Sequence, residues 1–145
     1  MIVIGPRGKM GKLITQVAAE RDDMELVAGV APAGRDYVGQ DLGMVALIGR
    51  NLGVPVVDDL AAVIDGCDVI IDFSTRENAL KVLDLAVKHG KALVCGTTGF
   101  SEEEFARFKE AAKTIPMLYA ANTSKLVNIM NKLLEMVTKT LGEDA

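Results

Sequence analysis

The chain has 145 residues, half of them hydrophobic and a quarter charged, with a formal net charge of −4. That length suits one domain with a single substantial core, and the balance is that of a globular protein rather than a disordered one. The acidic charge argues against a broad nucleic-acid surface, and the apolar runs are too short to span a bilayer.

The chain opens on Met1-Ile2-Val3-Ile4 without a basic leader or small-residue cleavage site, so the cytoplasm is the expected compartment. Ile2–Ile4 predicts a first strand. Lys9–Arg21 predicts a helix, with apolar residues at Met10, Ile14, Val17 and Ala18 on one face. Glu25–Val30 predicts a second strand, and a Gly- and Pro-containing loop follows, with a helical turn near Gly43–Gly49. Val54–Val57 predicts an edge strand or strand start, because Pro55 lacks an N–H. Asp58 or Asp59 is placed to cap a helix over Leu60–Ile64. Asp68–Asp72 predicts a strand buried on both faces, and Ala79–Lys88 a helix ended by His89-Gly90. Ala92–Cys95 predicts the next strand. Ser101-Glu102-Glu103-Glu104 has the form of a capping box opening a helix to about Lys113. Met117–Ala120 predicts a last strand and Ser124–Leu141 a long helix. Cys67 and Cys95 lack metal-ligand spacing and predict buried free thiols.

Strands alternating with helices predict an α/β domain with a doubly wound parallel sheet of the Rossmann type. Ligands of such sheets bind beyond the carboxyl ends of the strands. That rule selects Gly5–Gly11, Ala31–Arg35, Phe73–Arg76, Gly96–Phe100 and Ala120–Ser124.

Gly5, Gly8 and Gly11 recur at spacings of three across the first strand–helix junction. Glycines there allow a tight turn, close backbone approach to a phosphate, and close packing of helix on strand. The positive helix end favours an anion, and Arg7 and Lys9 add cationic charge. The predicted ligand is a nicotinamide dinucleotide with its pyrophosphate on this turn. A P-loop is excluded, because Gly11-Lys12 is followed by Leu13. An acidic residue normally ends the second strand and binds the adenine ribose, but Ala31 stands there. Without that acid a 2′-phosphate is not repelled, and Arg35 or Lys9 would attract one. The reading favours NADP over NAD without excluding either, and Arg35 fits equally as a solvated loop residue.

Four segments together carry a resemblance. Gly5-x-x-Gly8-Lys9-Met10-Gly11, Asp72-Phe73-Ser74, Gly96-Thr97-Thr98-Gly99-Phe100 and Ala120-Ala121-Asn122-x-Ser124-x-x-x-Asn128 stand in the order and spacing of the bacterial 4-hydroxy-tetrahydrodipicolinate reductases. Those enzymes reduce a cyclic imine or its hydrated precursor with NADH or NADPH in diaminopimelate and lysine biosynthesis. The resemblance implies that Gly5, Pro6, Arg7, Gly8, Lys9 and Met10 form the pyrophosphate turn, with Phe73 beside the cofactor. It places Gly96, Thr97 and Thr98 at the nicotinamide, with Thr98 also meeting substrate, and Ala120, Ala121, Asn122 and Thr123 closing over the ring. Taken alone, Thr97 and Thr98 fit better as ordinary loop hydroxyls bonding local backbone.

The chain departs from the family at Thr123, where a large apolar or aromatic residue is common, and at Lys125-Leu126, near a usual Val-Gly pair. The family's histidine-rich run and Asp-x-Pro-Ser-Gly-Thr stretch, which supply the proton donor and a substrate carboxylate site, are absent from the sequence. The lone His89 sits at a helix end, so no catalytic residue is assigned in this chain. The division expected is a dinucleotide-binding domain over residues 1–123 and a helix over 124–145 leading towards a substrate domain. That helix carries Leu126, Met130, Leu133, Val137 and Leu141 on one stripe, which predicts core packing, or self-association if left uncovered. A binding or regulatory module without catalysis is the alternative reading.

Overall fold

The computed structural model describes residues 1–142; residues 143–145, the end of the second expected segment, lie outside that range. Among the described residues six strands form one parallel sheet: β1 (Ile2–Ile4), β2 (Ala28–Val30), β3 (Val56–Val57), β4 (Val69–Asp72), β5 (Ala92–Cys95) and β6 (Met117–Tyr119). Their order across the sheet is β3-β2-β1-β4-β5-β6, the doubly wound arrangement expected from the alternation of elements. The helices are α1 (Lys9–Ala19), the short α2 (Leu42–Val45), α3 (Arg76–His89), α4 (Glu102–Ala111) and α5 (Lys125–Leu141).

The sheet is covered on both faces near its centre, which is why β1 reads as an unbroken apolar run. Ile2, Ile4, Ile70, Leu93 and Cys95 pack under Ala79, Val82, Leu83 and Ala86 of α3 and Phe108 and Ala111 of α4. Val3 packs on the opposite face with Ala18 of α1, Val69 and Ile71. A smaller cluster of Ala31, Leu42, Val45 and Val56 supports the outer strands β2 and β3. Both cysteines are buried free thiols, as expected, and burial pushes the Cys95 thiol up to about 11. At neutral pH it stays protonated and unreactive.

Several expected boundaries shift for identifiable reasons. β2 begins at Ala28 rather than Glu25, because its partner β1 is short and the register starts at Ile2↔Ala28. β3 begins at Val56, after Pro55, where pairing with Gly29 starts. Leu60–Ile64 is not an α-helix: Asp59 Oδ1 accepts the Ala61 N–H at 2.9 Å, and only a 3-10 turn, Ile64–Gly66, forms before β4. α3 starts three residues before the expected Ala79, because Thr75 caps it by accepting the Asn78 N–H. Its end is as read, at Gly90 with φ +64°. The capping box at Ser101 and Glu104 forms in both directions.

Core packing of the last helix is overturned. No residue of α5 is buried: Leu126 is 67% exposed and Leu133 is 55% exposed. Leu118 on the edge strand β6 is likewise open. No helix among the described residues is long and apolar enough to cross a membrane.

Candidate functional site

The turn from β1 to α1 is built on three glycines with different duties. Gly5 has φ +69°, a conformation only glycine adopts freely, and its N–H donates to the Val30 carbonyl at 2.8 Å. Gly8 opens α1 in an extended conformation, its N–H donating to the Gly5 carbonyl at 3.0 Å. Gly11 lies so close to the turn that a Cβ would sit 2.1 Å from the Gly5 carbonyl oxygen. Pro6 is buried, its ring against the bare α-carbon of Gly29 in β2. Its side chain is therefore part of the support beneath the turn, while Arg7, Lys9 and Met10 face outward.

The first N–H groups of any helix lack intrahelical partners. α2, α3, α4 and α5 each meet this with a side-chain cap, from Asp41, Thr75, Ser101 and Ser124. α1 has no side-chain cap and no acidic residue in its first turn. An uncapped positive helix end flanked by Arg7 and Lys9 fits a pyrophosphate.

This turn opens onto a cleft of about 680 Å³ at the junction of β1 and β4, where the chain switches from one face of the sheet to the other. Gly5 and Gly8 form one wall. Val30, Ala31, Pro32 and Ala33 form the second, and Asp58–Leu60 the third. Phe73, Ser74, Thr75, Asn78 and Lys81 close it from the side of β4 and α3.

The expected nicotinamide side lies at the tips of β5 and β6, about 10–15 Å along the sheet edge at ordinary strand spacing. Backbone bonds join these tips: Gly96 N–H donates to the Asp72 carbonyl at 2.9 Å, and Ala120 N–H to the Cys95 carbonyl at 3.1 Å. Gly96 is required here by a neighbour within the protein. A Cβ on it would lie 2.0 Å from the Phe73 ring, which occupies the space a side chain would take. Thr98, Ala121, Asn122 and Thr123 are exposed. Asn122 Oδ1 accepts the Ser124 N–H at 2.8 Å. Asn128 donates to the carbonyls of Asn122 at 3.2 Å and Ser124 at 2.8 Å, clasping the link into α5.

Beneath these tips two polar atoms are buried without partners among the described residues, Asp72 Oδ2 and Thr97 Oγ1. The local-backbone reading of Thr97 is thus not what its hydroxyl does. The other Asp72 oxygen accepts the Ser74 N–H at 2.8 Å. Burial pushes the Asp72 carboxyl above the usual carboxylate range, with the Ser74 contacts opposing. A carboxyl whose pKa rises on folding stabilises the fold most below its unfolded value, near 4, and loses that advantage as pH climbs through the folded value. Asp72→Asn is therefore expected to melt a few degrees above wild type at pH 8, about 1 kcal/mol at this chain length, with the gap closing near pH 4. Thermal melts of both proteins at the two pH values check this; a gap that widens towards acid contradicts it.

A family profile described as "Dihydrodipicolinate reductase, N-terminus" matches residues 1–123. The chain belongs to that family. The 4-hydroxy-tetrahydrodipicolinate reductase of Hahella chejuensis is 42% identical over 142 residues, 98% of this chain and 53% of the relative. That of Geobacter metallireducens is 46% identical over the same shares. The chain thus spans about half the length of the curated relatives it matches. Among solved structures, a dipicolinate-bound dihydrodipicolinate reductase from Paenisporosarcina sp. TG-14 superposes with a TM-score of 0.67 at 28% identity. That match covers 83% of this chain and 46% of the other. Fold and family together make this a Rossmann-type nucleotide-binding domain.

Within this dihydrodipicolinate reductase domain, Gly5, Gly8 and Phe73 line the cleft. Gly96, Thr97, Thr98 and Ala120–Thr123 gather at the neighbouring tips of β5 and β6 instead, outside its walls. Arg35 is exposed on the loop beyond Ala33. The cleft also holds Thr75, within the selected Phe73–Arg76 segment, and Asp58, Asp59, Asn78 and Lys81, which the sequence did not single out as ligand-facing. Their signal was available: they follow β3 and begin α3 at the same carboxyl edge. His89 is tied to Asp65 at 2.8 Å at the end of α3, on the opposite edge, consistent with a structural role.

Proposed function

We propose that this domain binds NADPH or NADH, with NADPH favoured, for a reductase of the dihydrodipicolinate reductase kind acting on a cyclic imine or its hydrated precursor. The uncapped start of α1 above Gly5, opening onto the cleft at the β1–β4 junction, is the observation that carries this. Gly5–Met10 receive the pyrophosphate, and the Ala31–Ala33 and Asp58–Leu60 walls take the adenosine. Thr97, Thr98 and Ala120–Thr123 border the nicotinamide, with Thr98 reaching substrate. When bound, the nicotinamide supplies hydride to the substrate ring. Ala31 at the tip of β2 leaves a 2′-phosphate unopposed there, which favours NADPH.

Residues 1–123 act as the dinucleotide-binding unit. The helix beyond them leads towards the part of the protein that binds and protonates substrate. The exposed stripe on α5 makes self-association an added expectation. Such an enzyme works in the cytoplasm, where Cys67 and Cys95 stay reduced. Titrating the chain with NADPH and NADH, followed by nucleotide fluorescence, is expected to show saturable binding of both, NADPH tighter, with little reductase turnover. Absence of binding for both nucleotides overturns the reading, and full turnover by these 145 residues overturns the division of labour.

A further inference from the structure

The side of α1 towards the sheet, Gly11, Thr15 and Ala18, is buried. Its far side is also apolar: Met10, Leu13 and Val17, spaced by three and four residues, are 39%, 56% and 59% exposed. The α2 segment lies along this helix. Gln16 Nε2 donates to the Ala46 carbonyl at 2.9 Å, and Arg50 Nη2 to the Ala19 carbonyl at 3.4 Å. Beside Ala46 this segment carries two further open apolar residues, Met44 and Leu47. Leu47 has φ +60°, in the left-handed region that favours glycine, and is held out to solvent. Single exposed apolar residues are ordinary, but five gathered on one helix and its neighbour mark a protein contact.

The charges along α1 identify what covers it. α3 and α4 begin with acids and end with bases, as the helix dipole favours. α1 is reversed: Lys9 and Lys12 open it, and Glu20, Asp22 and Glu25 stand at or just past its end. None of these five has an ion-pair partner among the described residues, whereas Arg7 and Arg21 are taken by Asp36 and Asp23. Lys9 and Glu20 are separated by close to three helical turns, so they flank the exposed stripe on one side.

We propose that α1 is a self-association surface, on which a second copy of this chain packs its own α1 antiparallel about a two-fold axis. A parallel pairing would set like charges side by side. The antiparallel pairing brings Lys9 of each copy to Glu20 of the other and stacks Leu13 of each on Val17 of the other. A patch of about 300–600 Å² falls short of the roughly 800 Å² per partner in a standard interface, so the dimer is weak and reversible. It is separate from the exposed stripe on α5.

The test is sedimentation equilibrium of the full chain from micromolar to millimolar concentration, with melting curves alongside. Nucleotide is left out, because a pyrophosphate on the glycine turn would compete for Lys9. Wild type is expected to show a reversible monomer–dimer equilibrium. Leu13→Asp should weaken it about tenfold or more, and Glu20→Lys about tenfold at low salt. Combining Glu20→Lys with Lys9→Glu exchanges the two charges and should restore the dimer to within about threefold of wild type. Leu133→Asp, which disrupts association through α5, should leave it in place. All these variants replace exposed side chains and should melt near wild type. A wild type that stays monomeric at millimolar concentration overturns the proposal. So does a dissociation constant within about twofold of wild type in both Leu13→Asp and Glu20→Lys, or loss of the dimer in Leu133→Asp.

Discussion

Gly11→Ala is expected to lower stability by about 3 kcal/mol or more and to abolish measurable nucleotide binding. Helix propensity alone predicts the reverse sign, because alanine is favoured over glycine inside a helix by about 1 kcal/mol. The local geometry decides against it. The new Cβ would stand 2.1 Å from the Gly5 carbonyl oxygen, 2.8 Å from Pro6 Cα and 2.9 Å from the Gly5 carbonyl carbon. All three are backbone atoms, so no side-chain rotation relieves the overlap. Moving the turn breaks the Gly5–Val30 hydrogen bond and lifts Pro6 from Gly29. Moving α1 instead pulls Ala18 away from Val3. Overpacking on this scale costs about 1–3 kcal/mol even where side chains can yield, and here none can. Gly8→Ala provides the contrast: its Cβ would meet the Gly5 carbonyl oxygen at 3.2 Å, a contact that a small shift relieves. That variant should stay folded and lose binding chiefly through its intrusion towards the phosphate. Chemical denaturation and nucleotide titration of both variants check the pair; a Gly11→Ala protein as stable as wild type would refute the account.

The glycine turn was legible because it combines a spacing with a position. Gly5, Gly8 and Gly11 occur where an apolar strand gives way to a helical period, and each glycine meets a different geometric demand. The strands β4 and β5 were legible as short apolar runs, and α4 because Ser101 and Glu104 announce a helix start. What could not be read depends on partners distant in sequence. The first turn of α3 is polar and carries no periodic signal, so only the Thr75 cap marks it. Gly29 looks like an ordinary strand residue until the Pro6 ring and Leu42 are seen filling its missing side chain. Gly96 was placed at the nicotinamide by resemblance alone, and its missing side chain makes room for Phe73, a partner no spacing announces. The stripe on α5 is a sound amphipathic signal, yet periodicity says only that one face is apolar and not what meets it. Likewise the missing acid at Ala31 was legible, but the Arg7–Asp36 ion pair depends on a loop returning across 29 residues.

That loop rests on Asp41, and Asp41→Ala is expected to destabilise the domain by about 2–4 kcal/mol at pH 7. One carboxylate oxygen accepts the N–H groups of Gly43 and Leu52, at 2.8 and 2.9 Å. The other accepts those of Gly53 and Val54, at 2.8 and 3.3 Å. Removing the carboxylate leaves four backbone donors to find other partners in a partly buried loop, each hydrogen bond to a charged group contributing about 1.5–3 kcal/mol and the set being less than additive. Burial alone would raise the Asp41 pKa, but the four N–H groups outweigh it and hold the carboxyl below the usual carboxylate range. The sign of the pH dependence follows. A group with a depressed folded pKa contributes its stability above its unfolded value, near 4, and loses it as pH falls through the folded value. The stability gap between wild type and Asp41→Ala should therefore be full at pH 7 and shrink below pH 4. Asp41→Asn separates charge from shape: its amide oxygen can still accept two donors, but its NH2 group faces the other two, so it should recover only part of the loss. Denaturant titrations of the three proteins at pH 7 and pH 3 decide the matter, and a gap unchanged between the two would refute it.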